Sequence, residues 1–269
     1  GTLSVNVGIT GPVDKLVIAG PIEATRLKAV VMLVKTRNVV RLGVRADRLE
    51  DVDDSPQSRE VVTNLCDAAR VDHAFVKAGV KLSDFKLLAM DMDSTLITIE
   101  CIDEIAALHG IGDKVAAITA AAMRGEIDFR ASLARRVALL AGLPVEALAR
   151  VYDDRLRLSP GVARLLDALR AIGAKTLLVS GGFTYFTDRL QSRLGIDCTL
   201  SNGLEIAGAR LTGRIVGDIV DADAKARRFA QLANELRGDD GLEVAIGDGA
   251  NDLTMLDVAD VSIAYRAMP

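Results

Sequence analysis

From about residue 85 onward, apolar runs alternate with helical patterns. Four short runs read as strands, at 87–91, 175–180, 242–247 and 261–265. Amphipathic stretches such as 162–172 and 224–236 lie between them, with apolar residues at helical spacing. That alternation predicts an α/β fold, with βαβ units around a mostly parallel, Rossmann-like sheet. The stretch "SNGLEIAGARLTGRIV" (201–216) breaks the rhythm with short alternating runs joined through Gly208, and predicts a hairpin.

Residues 101–158 hold no convincing strand. "CIDEIAALHG", "KVAAITAAAMRGE", "FRASLARRVALLAG" and "VEALARVYDD" read as consecutive short helices, with Gly110, Gly125 and Gly142 as stops. A helical insertion straight after the first strand lies above the C-terminal ends of the strands, where open α/β sheets bind ligands. The pattern therefore predicts a cap at about 101–158 within a domain of residues 85–269. Residues 1–84 are less regular: "KLVIAG" and "AVVMLVKT" read as strands, "SREVVTNLCDAARVDHAFVKAG" as a helix, "EDVDDSPQS" as an exposed acidic loop. They are expected to form a separate small α/β domain.

Composition narrows the chemistry. Half of the 269 residues are hydrophobic, ample for a core, but aromatics make up 3% and Trp is absent, so that core is mostly Ala, Leu, Val and Ile. The net charge of −4 is mild and no basic block occurs, which argues against nucleic acid as a partner. No apolar run reaches the ~18–20 residues needed to span a bilayer, and no signal pattern opens the chain. The chain opens on Gly1 rather than Met, so an upstream piece is expected. Cys66, Cys101 and Cys198 match neither a disulfide framework nor a zinc spacing, and a reducing cytoplasm is the expected setting. The two histidines, His73 and His109, have no Ser or Cys motif to serve. Chemistry is left to carboxylates, lysine and hydroxyls. A homodimer is compatible with the sequence, which fixes no oligomeric state.

Four strand-end segments carry such groups. "LLAMDMDSTL" (87–96) opens an apolar run into Asp91 and Asp93, two carboxylates that need compensation at the end of a buried strand. Alone, the pair fits a turn or a helix N-cap equally well. Ser180 ends "KTLLVSGG", where two glycines let backbone N–H groups approach an anion; a plain Gly-Gly turn with a capping Ser is the alternative. Lys225 sits early in a helix, a place where a lysine is usually just solvated. "AIGDGANDLTML" (245–256) delivers Asp248, Asn251 and Asp252 into a Gly-rich bend, a set that suits a hard cation with oxygen ligands. Together, Asp91, Asp93 and Asp248 suit Mg²⁺, and Ser180 and Lys225 suit phosphoryl oxygens, whose charge the metal and lysine would offset.

"DMDST", "VSGG", Lys225 and "GDGAND", in that order, resemble the haloacid dehalogenase-like phosphatases. "DMDSTLITIECIDEIA", "ITAAAMRGEIDFRASLARRVALL", "LSPGV" and "VSGGFTYF" narrow the resemblance to the phosphoserine phosphatases of that superfamily, over essentially all of 85–265. The resemblance implies that Asp91 is a nucleophile forming an aspartyl phosphate and that Asp93 is the acid and base. It implies Mg²⁺ held by Asp91, the Asp93 backbone carbonyl and Asp248. Ser180, Gly181 and Lys225 would bind phosphoryl oxygens, with Asn251 and Asp252 in support. In the cap, Glu100 matches the acid for the substrate ammonium, Arg136 the arginine for its carboxylate, and Met123 and Phe129 the apolar positions that close over the substrate.

The residues themselves bear on Arg136. Leu133, Val137, Leu139 and Leu140 mark the buried side of their helix, and Arg136 falls angularly between Leu139 and Leu140, whereas Arg135 points away. A charge there wants a partner, either a ligand carboxylate or an acid of the same chain. For Glu100, the helix dipole alone would favour an acid at a helix start.

The resemblance also implies a chain that continues past "SIAYRAMP" with one more short strand and helix. Many bacterial members carry an ACT-like regulatory domain where residues 1–84 stand, yet a βαββαβ pattern is hard to trace there, and no effector site is assigned. The expected activity is hydrolysis of O-phospho-L-serine, the last step of serine biosynthesis. The alternatives are a related phosphatase or phosphotransferase using another small phosphomonoester, and a non-catalytic amino-acid-binding sensor.

Overall fold

The computed structural model describes residues 80–236 and 240–266 continuously. Upstream it describes residues 8–10, 17–19, 29–31 and 75–77 and the single positions 56, 60, 63 and 64. The chain divides into two compact units, 1–81 and 82–269.

In the first unit, β1 (Gly8–Thr10) pairs antiparallel with β2 (Val17–Ala19). In the same unit, β3 (Ala29–Val31) pairs antiparallel with β4 (Phe75–Lys77). β2 and β3 fall inside the two runs expected as strands. Of the helix expected over 58–79, residues 60, 63 and 64 are helical, and β4 corrects its end: "FVK" carries an aromatic and a β-branched residue, which suit a strand, and it pairs with Ala29–Val31. The acidic loop expected at 50–58, apart from helical Pro56, and the ACT-like pattern lie outside the described residues.

The second unit is built on a six-stranded sheet in the order β10-β9-β5-β6-β7-β8. Its strands are β5 (Phe85–Met90), β6 (Lys175–Phe183), β7 (Cys198–Ala207), β8 (Arg210–Val216), β9 (Leu242–Gly247) and β10 (Val261–Ala264). All neighbours pair in parallel except β7 and β8, the expected hairpin. β5 lies between β9 and β6 and is covered on both faces, which is why it reads as an unbroken apolar run. Leu88 and Met90 join the cluster shared with Leu166, Leu169 and Phe186. Leu87 and Ala89 join Phe229, Leu232 and Met255 on the opposite face.

The first of those faces is covered by α5 (Val162–Ala171) and α6 (Thr184–Leu194), the second by α7 (Ala222–Glu235) and α8 (Leu253–Asp257). The cap consists of α1 (Cys101–Leu108), α2 (Gly112–Met123), α3 (Phe129–Ala138) and α4 (Glu146–Arg150). Gly110, Gly125 and Gly142 all take positive φ in the turns between these helices, as stops must. The insertion enters and leaves through a narrow neck, where Ile97 bridges Leu158 and Thr98 N donates to Arg157 O at 2.9 Å. Its far side is tied to the hairpin. Gly142 N donates to Leu211 O at 2.8 Å, Leu211 N to Leu143 O at 2.9 Å, and Val145 N to Ala209 O at 3.0 Å.

One irregularity positions the site. β6 pairs with β7 through Val179 opposite Leu200 and resumes only at Phe183 opposite Asn202. Two extra residues on β6 bulge out of the ladder, and they belong to the "SGG" segment. The strand therefore runs beyond its expected end at Ser180.

Candidate active site

Asp91, Ser180 and Asp248 all stand at the C-terminal ends of parallel strands, so the topology delivers them to one edge of the sheet. Asp91 is still tied into the sheet, its N–H donating to Ile246 O at 3.0 Å. The chain then makes one wide turn over Met92–Leu96, closed by Leu96 N to Asp91 O at 3.2 Å and Ile97 N to Met92 O at 2.9 Å. Inside it Asp93 is extended and Ser94 takes φ +56°, a left-handed conformation that a non-glycine residue adopts at some cost. Ser94 is held there by its N–H to Ile99 O at 3.2 Å and its hydroxyl to Glu100 Oε1 at 2.7 Å. The turn brings Asp91 and Asp93 to the same cleft.

Lys225 lies beneath Asp91 rather than in the open cleft, 1% exposed. Its Nζ donates to Asp91 Oδ1 at 2.5 Å and to Asp252 Oδ1 at 2.8 Å. Asp252 is fully buried, and its Oδ2 accepts from Asp248 N at 3.2 Å and Gly249 N at 3.1 Å. Gly247 is required by this packing, since a Cβ there would collide with the Asp252 side chain. Asp248 Oδ1 accepts from Thr95 Oγ1 at 2.7 Å. Ser180 Oγ accepts from Gly182 N at 2.8 Å.

The cap supplies the opposite wall. Glu100, Phe129 and Arg136 face the same cleft of about 110 Å³ as Asp91, Asp93, Ser180, Gly181, Asp248 and Asn251. Arg136 Nε is buried without a hydrogen-bond partner, and Arg135 is exposed, as the helical spacing predicts. Phe129 packs on Gly181 so closely that a Cβ on the glycine would lie 2.9 Å from the ring. Met123 is not brought in. It is the last residue of α2, 77% exposed, just before the turn at Gly125, and does not line the cleft.

Burial dominates the electrostatics. It pushes the Asp91 carboxyl up to about 7, with Lys225 opposing and Asp252 and Asp248 adding to the rise. Burial also raises Asp93 well above the usual carboxylate range, helped by the Glu100 and Asp91 charges and opposed by Cys101, whose N–H donates to Asp93 Oδ1 at 3.2 Å. Glu100 and Asp248 rise for the same first reason. Burial pulls Lys225 down, but Asp91 and Asp252 together hold it above its ordinary value. Arg136 is lowered by burial against the pull of Asp103, Glu100 and Asp93.

Six carboxyl groups, those of Asp91, Asp93, Glu100, Asp103, Asp248 and Asp252, thus crowd around one lysine and one arginine. Asp91, Asp248 and Asp252 each bring an oxygen within 4.8 Å of the others. Both Asp252 oxygens are already engaged, by Lys225 and by two amides, so Asp91 and Asp248 are the better placed of the three for a cation. An all-oxygen donor set with excess negative charge fits a hard divalent ion.

Several contributors carried no sequence assignment: Ser94 and Thr95, whose hydroxyls hold Glu100 and Asp248, the Cys101 amide on Asp93, and Asn202, whose side-chain amide donates to Gly181 O. The first two were visible as the hydroxyl pair directly after the two aspartates. The others depend on main-chain geometry.

The family model of the haloacid dehalogenase-like hydrolases matches residues 88–257. A phosphoserine phosphatase of Polaromonas sp. is 54% identical over 195 residues, covering 71% of this chain and 83% of the relative. Among solved structures, a probable phosphoserine phosphatase from Vibrio cholerae superposes with a TM-score of 0.68 at 40% identity, covering 82% of this chain and 67% of that one. A phosphoserine phosphatase with substrate bound superposes with a TM-score of 0.63 at 35% identity, covering 69% and 88%. The matched residues are those that carry the bulged "SGG" segment, the paired aspartates and the buried lysine: the chain belongs to the haloacid dehalogenase-like hydrolase family, on its phosphoserine phosphatase branch.

Proposed function

We propose that this chain hydrolyses O-phospho-L-serine to L-serine and phosphate through a phosphorylated Asp91, the last step of serine biosynthesis, in the cytoplasm. The observation that carries this reading is the two-ended cleft. Asp91, Asp93, Ser180 and Lys225 converge at the sheet edge, and Arg136 and Glu100 face them from the cap. One end suits a phosphoryl group and the other an amino acid's carboxylate and ammonium. About 110 Å³ is far below the ~300–1,000 Å³ of pockets for drug-sized ligands, so the ligand is small.

Lys225 holds Asp91 Oδ1 and keeps the carboxylate oriented, leaving Oδ2 to attack phosphorus. The bond from phosphorus to the serine oxygen breaks as Asp93 gives its proton to that oxygen. Burial raises this carboxyl, the direction that favours the protonated form the step requires. Asp93, now ionised, takes a proton from water, whose oxygen attacks phosphorus and releases Asp91. Ser180 and the Gly181 N–H receive the phosphoryl oxygens at the bulge of β6. The proposed holders of Mg²⁺ are Asp91, the Asp93 carbonyl and Asp248, with Asp252 and Asn251 in support. Bound there, the ion offsets charge between the carboxylates and the phosphoryl group.

The test is phosphate release from phosphoserine beside phosphoethanolamine, phosphohomoserine and histidinol phosphate, with and without Mg²⁺. Phosphoserine is expected to be the preferred substrate. Preference for an ester lacking the carboxylate would refute the substrate assignment, and no release from any of them would refute the phosphatase reading.

A further inference from the structure

The bulge in β6 removes Ser180–Gly182 from regular pairing, so the carbonyl of Gly181 needs a partner other than the ladder. Asn202 supplies it. This side chain on β7 is 1% exposed; its Nδ2 donates to Gly181 O at 2.8 Å, and its Oδ1 accepts from Val220 N at 2.8 Å. Both ends of the amide are used, so its orientation is fixed.

One bond leads to the phosphoryl-binding bulge and the other to the helix that carries Lys225. The Gly181 carbonyl shares one rigid peptide plane with the Gly182 N–H. That N–H donates to Ser180 Oγ at 2.8 Å, which leaves the Ser180 proton to point elsewhere, toward a ligand oxygen. On the other side, Val220 precedes Asp221, the N-cap of α7, whose Oδ1 accepts from Ala224 N at 3.0 Å and whose carbonyl accepts from Lys225 N at 3.0 Å. Lys225 stands in the first turn so capped.

We propose that Asn202 is a positioning residue that sets Ser180, at the phosphoryl end of the cleft, against Lys225, which holds Asp91. It touches neither substrate nor the reacting atoms. The inference rests on the phosphatase reading above, and applies to the phosphate end of the cleft alone. Arg136 and Glu100 belong to the cap and make no bond to Asn202.

The test uses Asn202→Ala, which removes both bonds, and Asn202→Asp, which keeps the acceptor for Val220 and nearly the same volume but loses the donor to Gly181. Inhibition of p-nitrophenyl phosphate turnover by inorganic phosphate and by L-serine is measured on folded protein, well below each melting temperature. Small displacements in such a site cost up to about 100-fold, so phosphate inhibition is expected to weaken about tenfold or more. Serine inhibition should change less than about twofold. Unchanged phosphate inhibition in either folded variant, or equal weakening toward both ligands, overturns the proposal. If only the aspartate variant folds, it decides alone. A wild-type enzyme without phosphatase activity would refute the underlying reading and is seen before either variant is made.

Discussion

Arg136→Ala separates the two ends of the cleft. In the free protein the guanidinium is already partly removed from water, and its Nε has no hydrogen-bond partner. A bound carboxylate therefore finds a donor whose desolvation has partly been met, and Arg–carboxylate pairs favour two parallel hydrogen bonds. Truncating one member of a buried, hydrogen-bonded charge pair costs about 2–5 kcal/mol. Arg136 is only half-buried, which places the expectation toward the lower end. At ~2–3 kcal/mol, kcat/KM for phosphoserine falls roughly 30- to 140-fold. p-Nitrophenyl phosphate lacks the carboxylate and never makes the contact, so its kcat/KM should fall less than about threefold by the same arithmetic. The assay is phosphate release from both esters on the same preparation, with the melting temperature recorded. Equal losses on both, with a lowered melting temperature, would show that Arg136 serves Asp103 and Glu100 as a strut of the cap. That outcome would refute the substrate assignment and leave the chemistry at Asp91 standing.

Four further outcomes are expected. EDTA followed by exhaustive dialysis should abolish turnover and Mg²⁺ restore it, while excess Ca²⁺ inhibits, because its looser shell misplaces Asp91; full activity without metal would overturn the site. Asp91→Asn should abolish covalent phosphate labelling, whereas Asp93→Asn should spare the first step when p-nitrophenolate leaves, since that group needs little protonation; labelling that survives in the Asp91→Asn variant would reverse the roles. Gly181→Ala should raise KM and cost about 1–3 kcal/mol of stability, because its Cβ meets the Phe129 ring at 2.9 Å, and adding Phe129→Ala should recover part of the stability loss; strict additivity would mean the two do not meet. Burial tends to raise Asp197, but Lys175 and Thr176 hold it below the ordinary carboxylate value. Its stabilisation is therefore complete above about pH 4 and is lost as pH falls through the lower folded value; Asp197→Asn should flatten the acid limb of a stability curve, and an unchanged limb would contradict this.

Local patterns were enough for much of this architecture. The strands at β5, β6, β9 and β10 and the short cap helices show in the sequence because each is either covered on both faces or amphipathic and stopped by glycine. The β4 strand did not, since its three residues sit in a run with helical spacing and take their conformation from pairing with Ala29–Val31, a distant partner. At the site, the paired aspartates, Ser180, Lys225 and the "GDGAND" acids were legible as chemistry at strand ends. Arg136 was legible from its helical angle. Met123 was assigned by resemblance and stands in solvent, because a position in a motif does not fix where a side chain at a helix end points. Asn202 was invisible, since its role depends on a bulge in the neighbouring strand.

Besides its packing into the core, the cap is tied by backbone bonds at two places, the neck at Ile97 and Leu158 and the hairpin bonds at Gly142, Leu143 and Val145. At the cleft, the cap also meets the sheet where Arg130 pairs with Asp221 at 2.6 Å and Phe129 rests on Gly181. Arg130 is more than half exposed, so salt screens that pair. Added salt therefore loosens the Arg130–Asp221 edge of the cleft while the backbone bonds at the neck and the hairpin keep their strength.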